Sequence, residues 1–206
     1  AVIPFTEGNG DYTVVGYQQI QGDQYAALYS EILTVELEND FLPFLYPNQY
    51  VNFSPDSEAS KLALSMVSED TADVDALKQI YNYVVNNLTY DYDKAETVET
   101  GYLPDVDETL STKTGICFDY AALTTAMLRS CDIPCKLQIG YTGDIKHAWI
   151  DVYIRSKGWV TGAVSFNGDS WSLMDPTFDS SADSDDTEAI QDYIGNADNY
   201  TVQFTR

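Results

Sequence analysis

The sequence predicts an α+β domain in which helices come first along the chain and an antiparallel sheet follows. Apolar residues from Val74 to Leu88 advance by threes and fours, which is the spacing of one helix face. Residues from His147 to Arg155 instead alternate between aliphatic and other side chains, which indicates a strand. The chain has 206 residues, of which 44% are hydrophobic, so it has enough material for one sizeable core.

The N-terminal quarter carries two predicted elements. Apolar residues recur at near-helical spacing from Tyr17 to Glu38, which predicts an amphipathic helix. Two prolines and many aromatic residues predict an ordered loop over residues 40–53. We therefore expect residues 1–54 to form a largely helical N-terminal extension and residues 55–206 to form the main domain.

Two helices are predicted next. Ser54 followed by Pro55 has the pattern of a helix N-cap and first helical position, so a helix is expected from there to about Val67. The Val74–Leu88 helix is preceded by acidic residues, including Asp73, which a helix N-terminus favours.

The second half of the chain turns from helix to sheet. Residues 91–114 are polar and predict a long surface loop, a kind of segment that is often functional. A helix is expected from Cys117 to Ser130, and Pro134 ends that segment. The later residues predict an acidic loop over 180–188 and a short helix near Thr187–Ile194. Four strands are predicted between them, at Lys136–Tyr141, His147–Arg155, Gly158–Val164 and Trp171–Asp175.

The composition excludes some partners. Lys and Arg number 10 and Asp and Glu number 33, giving a net charge of −23, so a nucleic-acid partner is not expected. No apolar run approaches the roughly 18 residues of a membrane span. Abundant Tyr, Asp, Asn, Ser and Thr with few Lys are typical of a secreted or cell-surface protein. The chain opens at Ala1 without a signal core, so we interpret it as a mature or trimmed chain whose targeting segment is absent.

Cys117 is the first candidate for chemistry. It follows Gly115-Ile116 and opens a predicted helix, where the partial positive charge of the N-terminus favours a thiolate. Gly115 permits close backbone approach, and the amides around Cys117 are candidate oxyanion donors. Taken alone, a cysteine in a mainly apolar helix also fits plain packing.

His147 and Asp175 complete the candidate set. His147 is the only histidine in the chain and shares its strand face with Trp149, whose ring can shield it from water. Asp175 precedes Pro176 and lies in an apolar neighbourhood, where a carboxylate needs a partner. Either residue alone also fits an ordinary surface position. In chain order, however, the three form a nucleophile, a base and an orienting acid.

The residues around these three carry a resemblance to a known family. Three blocks are similar to the signature blocks of the transglutaminase-like superfamily, in its order and at its spacing: Lys113-Thr114-Gly115-Ile116-Cys117-Phe118-Asp119-Tyr120-Ala121-Ala122-Leu123, His147-Ala148-Trp149 and Asp175-Pro176-Thr177-Phe178. The Val74–Leu88 helix followed by Thr89-Tyr90-Asp91 also resembles that family's leading helix. The segment from Cys131 to Cys135 resembles the family's turn into the first strand, and the similarity covers about residues 55–180.

This resemblance implies a papain-like fold and acyl transfer through a cysteine thioester. By position, Cys117 is the nucleophile, His147 the base and Asp175 the orienting acid. Papain-type proteases place an oxyanion-hole Gln six residues before the cysteine; Ser111 stands there, which leaves the second donor unidentified. The resemblance implies no cofactor. The aspartates of residues 179–186 lack the EF-hand pattern, so no metal site is predicted.

Further expectations concern the thiols and the cleft. Cys131 and Cys135 lie four apart across a proline turn, which is compatible either with a disulfide or with two reduced thiols. Trp149, Tyr102 and Gly115 are the candidates for the substrate cleft. The expected partner is a protein or peptide substrate, and the oligomeric state is left open.

Three functions follow from these expectations. The first is hydrolysis of peptide or isopeptide amides by a cysteine hydrolase. The second is protein crosslinking by a transglutaminase, which shares the acylation step. The third is an extracellular binding module whose site is catalytically idle.

Overall fold

The N-terminal region is a β-hairpin in the computed structural model, which describes residues 2–166, 171–173 and 200–206. Strand β1 (Gly10–Gln21) pairs antiparallel with strand β2 (Gln24–Val35) across a turn in which Gly22 has a φ of 53°. The predicted helix over Tyr17–Glu38 is therefore wrong, as is the largely helical character expected of residues 1–54. Strand register shifts at Gly16/Tyr17, and such a bulge interrupts the period-two alternation that would have indicated a strand.

Two helices follow the hairpin and a 3₁₀ turn at Leu42–Phe44. Helix α1 spans Glu58–Met66, so the predicted helix exists, although Ser57 rather than Ser54 precedes its first residue. Helix α2 spans Asp73–Asn87 and confirms the clearest helical pattern. Its buried residues include Leu77, Ile80 and Val84, which lie on one face as the spacing predicts.

Residues 91–114, predicted as a loop, contain two short helices and part of a small sheet. Strand β3 (Thr89–Tyr90) precedes helix α3 (Tyr92–Thr97), and helix α4 (Val106–Thr112) precedes strand β4 (Thr114–Gly115). Asp91 and Asp105 cap the two helices, because the side chain of each accepts backbone N–H groups of the following turn. The polar residues that looked like loop are therefore in part helix caps.

The centre of the domain is helix α5 (Cys117–Ser130), which packs on one side of an antiparallel sheet. The sheet has the order β8-β7-β6-β5-β9. The first three predicted strands are confirmed, the fourth is confirmed over 171–173 while its last two residues lie outside the described ones, and β9 was not predicted. Aliphatic side chains from the helix and the sheet share one core, among them Leu123, Leu137, Ile150 and Val152. The predicted α+β class is confirmed. The strand bounds are β5 Cys135–Thr142, β6 Ile145–Ile154, β7 Gly158–Phe166, β8 Trp171–Leu173 and β9 Tyr200–Thr205.

Arg129, near the end of α5, joins distant parts of the chain. Its guanidinium donates to the backbone oxygens of Tyr46 at 2.8 Å, of Cys135 at 2.8 and 3.0 Å, and of Arg206 at 2.9 Å. Burial lowers the pKa of Arg129 to about 10. The three carbonyls compensate a buried cation, which would otherwise be costly.

Of the two alternatives for Cys131 and Cys135, the structure has the reduced thiols and not the disulfide. Cys117, Cys131 and Cys135 are all free thiols. Cys135 opens β5 and directs its sulfur to the Thr125 hydroxyl in α5, at 3.5 Å, while the Cys131 side chain packs on the core from the end of the helix. Asp175, the predicted acidic loop over 180–188 and the predicted helix near 187–194 lie outside the described residues.

Candidate active site

The backbone around Cys117 is held by the small parallel sheet. Strands β3 and β4 place Tyr90 opposite Gly115, and the Asp91 N–H donates to the Gly115 oxygen at 2.9 Å. A Cβ atom at position 115 would come within 2.6 Å of the Asp119 Cβ, so glycine is required there. The sheet therefore brings Tyr90 next to the turn from which Cys117 opens α5.

Three hydrogen-bond donors surround the Cys117 sulfur. They are the backbone amides of Phe118 and Ala148 and the side chain of Tyr90. Each of them favours the thiolate, but burial of the sulfur is the larger effect and raises the pKa of the Cys117 thiol. The sequence argument from the helix N-terminus predicted the opposite direction, because it could not account for burial.

Tyr90 is a candidate site residue that the sequence analysis did not single out. Burial raises the pKa of Tyr90 to about 12, so its hydroxyl stays protonated and remains a donor. Ser111, at the position of the papain-type Gln, instead donates to the Glu108 backbone oxygen on the exposed side of α4. The only sequence signal for Tyr90 was its place in the Thr89-Tyr90-Asp91 segment after α2.

His147 lies near the start of β6 and is buried, with 6% of its surface exposed. Its ring stacks on Trp149, with centroids 6.2 Å apart and an interplanar angle of 16°. Burial lowers the pKa of His147 to about 4, so the imidazole is neutral at neutral pH. Together with the raised pKa of Cys117, this describes a resting state of neutral thiol and neutral imidazole.

One cavity, with a volume of about 710 Å³, contains both Cys117 and His147 in its lining. One wall is residues 98–103, and Ile139, Phe204 and Arg206 contribute from the sheet. Of the three predicted cleft residues, Tyr102 lies in the lining. Trp149 is 1% exposed behind His147, and Gly115 is buried beneath Asp119, so these two support the site rather than offer a surface to a substrate.

Within the part of the chain that the structure describes, no group of three or more His, Cys, Asp or Glu side chains is arranged to hold a metal ion. Over the same residues, no helix combines the length and apolarity needed to cross a bilayer.

Comparison with known proteins identifies the family. The family model described as the transglutaminase-like superfamily matches residues 60–162, half of the chain. The chain belongs to the transglutaminase-like superfamily. The match includes Cys117, His147 and the segments that position them, and it ends before Asp175. The recognition made from the three sequence blocks is thus confirmed at the level of the superfamily.

Two curated proteins are similar in sequence. The uncharacterized protein YebA of Bacillus subtilis is 24% identical over 183 residues, covering 78% of this chain and 25% of YebA. A UPF0252 protein of Methanocaldococcus jannaschii is 40% identical over 62 residues, covering 28% of this chain and 18% of that protein. The chain therefore spans a quarter or less of the curated relatives it matches.

Two solved structures are similar in fold. One is a Cytophaga hutchinsonii protein described as a candidate cysteine protease, with a TM-score of 0.48 and 19% sequence identity. The alignment covers 73% of this chain and 63% of the Cytophaga chain. The other is the periplasmic domain of TgpA from Pseudomonas aeruginosa, with a TM-score of 0.44 and 18% sequence identity. The alignment covers 71% of this chain and 50% of the TgpA chain. With both scores below 0.5, the family assignment rests on the sequence match.

Proposed function

We propose that this superfamily member catalyses thiol-dependent acyl transfer on protein or peptide amides, with water as the acceptor, as a cysteine-peptidase-type hydrolase. The observation that carries the proposal is the setting of Cys117, whose sulfur lies among three hydrogen-bond donors in a cavity shared with His147. Membership of a superfamily built on cysteine acyl transfer supports the same reaction class. The substrate we infer is a protein or peptide segment that enters this cavity.

The first half-reaction begins from the neutral pair. His147 accepts the thiol proton as the Cys117 sulfur attacks the amide carbonyl carbon, forming a C–S bond and moving the carbonyl electron pair to oxygen. The imidazolium then gives the proton to the leaving nitrogen as the C–N bond breaks, which leaves a thioester. A neutral base is needed for the first step, and His147 is neutral at neutral pH because burial lowers its pKa to about 4.

The developing oxyanion needs donors, and Tyr90 supplies the one that Ser111 does not. Its hydroxyl already lies at the sulfur, and it keeps its proton because its pKa is about 12. Backbone amides at the start of α5 are the natural second source, since the first N–H groups of a helix have no partner within the helix. In the proposed mechanism, Asp175 orients His147, as its position in the third sequence block implies.

In the second half-reaction, a water molecule attacks the thioester carbonyl, with His147 taking its proton. The tetrahedral intermediate then expels the Cys117 sulfur, which regains a proton from the imidazolium and releases the carboxylic acid. A lysine amine in place of water would give transglutamination. The composition supports a secreted or cell-surface setting for either reaction.

The proposal is tested by replacing Cys117 and following both products. We expect the native protein to release new peptide termini from unfolded casein, read by mass spectrometry, and Cys117→Ala to lower the rate by at least about 10³-fold. Cys131→Ala is the matched control, because this half-buried thiol is not in the cavity lining, and it should retain the native rate.

Two results would change this assignment. Equal release by Cys117→Ala would show that the thiol is not the nucleophile. Incorporation of monodansylcadaverine into casein without new termini would replace water by an amine as the acceptor and make the protein a transglutaminase.

A further inference from the structure

Asp119 is a buried carboxylate close to Cys117 that the proposed mechanism does not use. Its side chain is 0% exposed, and it lies two positions after Cys117 in α5. One of its oxygens accepts the Ile116 N–H at 2.8 Å, which caps the helix. A single cap does not account for a carboxylate with no access to water, because such a charge needs compensation.

The compensation comes from two residues of the preceding segment. Lys94 in α3 donates to Asp119 Oδ2 at 2.8 Å and to the Tyr102 hydroxyl at 2.7 Å. The Tyr102 hydroxyl in turn donates to Asp119 Oδ1. Although burial alone would lower the pKa of Lys94, its hydrogen bonds to Asp119 and Tyr102 leave that pKa raised, so the side chain is charged. The three side chains form a closed ring of hydrogen bonds.

The ring connects the cavity wall to the start of α5. Tyr102 belongs to the wall formed by residues 98–103, and its ring packs edge-on against Phe118, at 6.3 Å between centroids. Lys94 also lies over the Tyr102 ring, 4.4 Å from its centroid. A wall segment between two short helices is thus attached by side chains to the residues that flank Cys117.

We propose that Lys94, Tyr102 and Asp119 are positioning residues that hold the 98–103 wall of the cavity against the N-terminus of the Cys117 helix. In the same ring, the positive charge of Lys94 offsets the negative charge of Asp119 beside the thiol. The inference deepens the proposed function, because it assumes that Cys117 reacts with a substrate in that cavity. None of the three residues takes part in bond making or breaking.

The charges of Lys94 and Asp119 affect the pKa of the Cys117 thiol in opposite directions. Among the described residues, Tyr90 and Asp119 interact with the Cys117 thiol directly. The other titratable or charged groups of the shared cavity are Tyr50, Glu99, Tyr102, Lys146, His147 and Arg206. The negative charge of Asp119 disfavours a thiolate at Cys117, and Lys94 offsets that charge. Removing Lys94 therefore raises the pKa of the Cys117 thiol further, whereas a loss of packing alone would expose the sulfur and lower it.

The test is the pH profile of iodoacetamide alkylation at Cys117, followed by peptide mass mapping of the full chain. For Lys94→Met we expect the midpoint of the profile to move up by about one pH unit, which is a tenfold slower reaction at neutral pH. Lys94→Arg keeps the charge and should restore most of the rate. Lys61→Met is the matched control, since Lys61 makes a 2.8 Å ion pair with Glu58 on the surface of α1, and its profile should match the native one.

Hydrogen exchange measures the wall independently of the thiol. In Tyr102→Phe, which removes one oxygen atom, exchange of the amides of residues 98–103 should rise about tenfold while α2 keeps its protection. This variant also decides the matter if Lys94→Met does not fold. Native alkylation in Lys94→Met together with native exchange in Tyr102→Phe would overturn the inference. If the alkylation profile of Lys94→Met shifts but the native protein does not cleave casein, the role of the ring is supported and the proposed function is rejected.

Discussion

The hairpin β1–β2 and the helix α5 contain similar apolar residues in opposite environments. No residue of either hairpin strand is buried, whereas every residue from Asp119 to Arg129 in α5 is buried. The hairpin carries acidic side chains and no Lys or Arg, while α5 encloses both a carboxylate and a guanidinium with their partners. An apolar pattern therefore does not by itself show whether a segment is buried. The contribution of each apolar side chain to the free energy of unfolding depends on how completely other residues cover it.

The largest expected effect comes from one truncation made in both regions. Leu123→Ala in α5 removes a side chain that is 0% exposed and should lower the free energy of unfolding by about 3 kcal/mol, since it loses burial and leaves a cavity. Leu28→Ala in the hairpin, where the side chain is 65% exposed, should change it by less than about 0.5 kcal/mol. Urea denaturation measures both, and comparable losses would contradict the contrast between the regions.

The dependence of stability on pH sharpens the same contrast, because the one histidine lies in the sheet and not in the hairpin. The pKa of His147 is about 4 when folded, against 6.5 for an exposed histidine, so below pH 6.5 the unfolded chain binds a proton that the folded chain does not. Stability is therefore fully present above pH 6.5 and falls by about 3 kcal/mol as the pH drops to 4. The His147→Gln variant keeps every carboxylate, so its free energy of unfolding should fall by about 3 kcal/mol less than that of the native protein between pH 6.5 and 4. Urea denaturation at several pH values measures this, and the same pH dependence in both proteins would reject a buried neutral imidazole.

A smaller contrast is expected from adding one methyl group to a glycine in each region. A Cβ at Gly140 in β5 would lie 2.0 Å from the backbone oxygen of Thr201 in β9, so Gly140→Ala should cost about 2 kcal/mol by separating these strands. At Gly16 the Cβ would instead meet the Tyr29 ring, 57% exposed and free to turn away, so Gly16→Ala should cost under about 0.5 kcal/mol. Thermal unfolding measures both variants. Equal shifts in Tm would contradict the expectation that a clash with backbone costs more than a clash with a movable side chain.

The success and failure of the sequence analysis follow the same division. Helix α2 and strands β5, β6 and β7 were predicted because packing against a shared core imposes a regular spacing of apolar residues. In the hairpin no core selects one face, and the bulge near Tyr17 breaks the alternation. The Gly22-Asp23 pair between two apolar runs was the hairpin signal that was not used.

The candidate site divides in a similar way. Cys117 and His147 were found because local blocks carry them, and the structure brings both to one cavity. Tyr90 was missed because two short strands position it, and such strands leave no periodic signal. The ring of Lys94, Tyr102 and Asp119 depends on side chains that meet across 25 residues of chain, which spacing along a sequence does not show. The direction of the Cys117 pKa also needed the structure, since burial outweighed the helix N-terminus.

Arg129 has a consequence for the order in which this protein assembles during synthesis. Its guanidinium, enclosed in the core, is fully compensated only when residue 206 lies against β5, and Phe204 and Arg206 also line the cavity. A nascent chain that has emerged only as far as β7 leaves one side of β5 unpaired and this cation short of an acceptor. Completion of the sheet thus waits for β9 to leave the ribosome, and the cavity around Cys117 is completed only after residues 200–206 have been made.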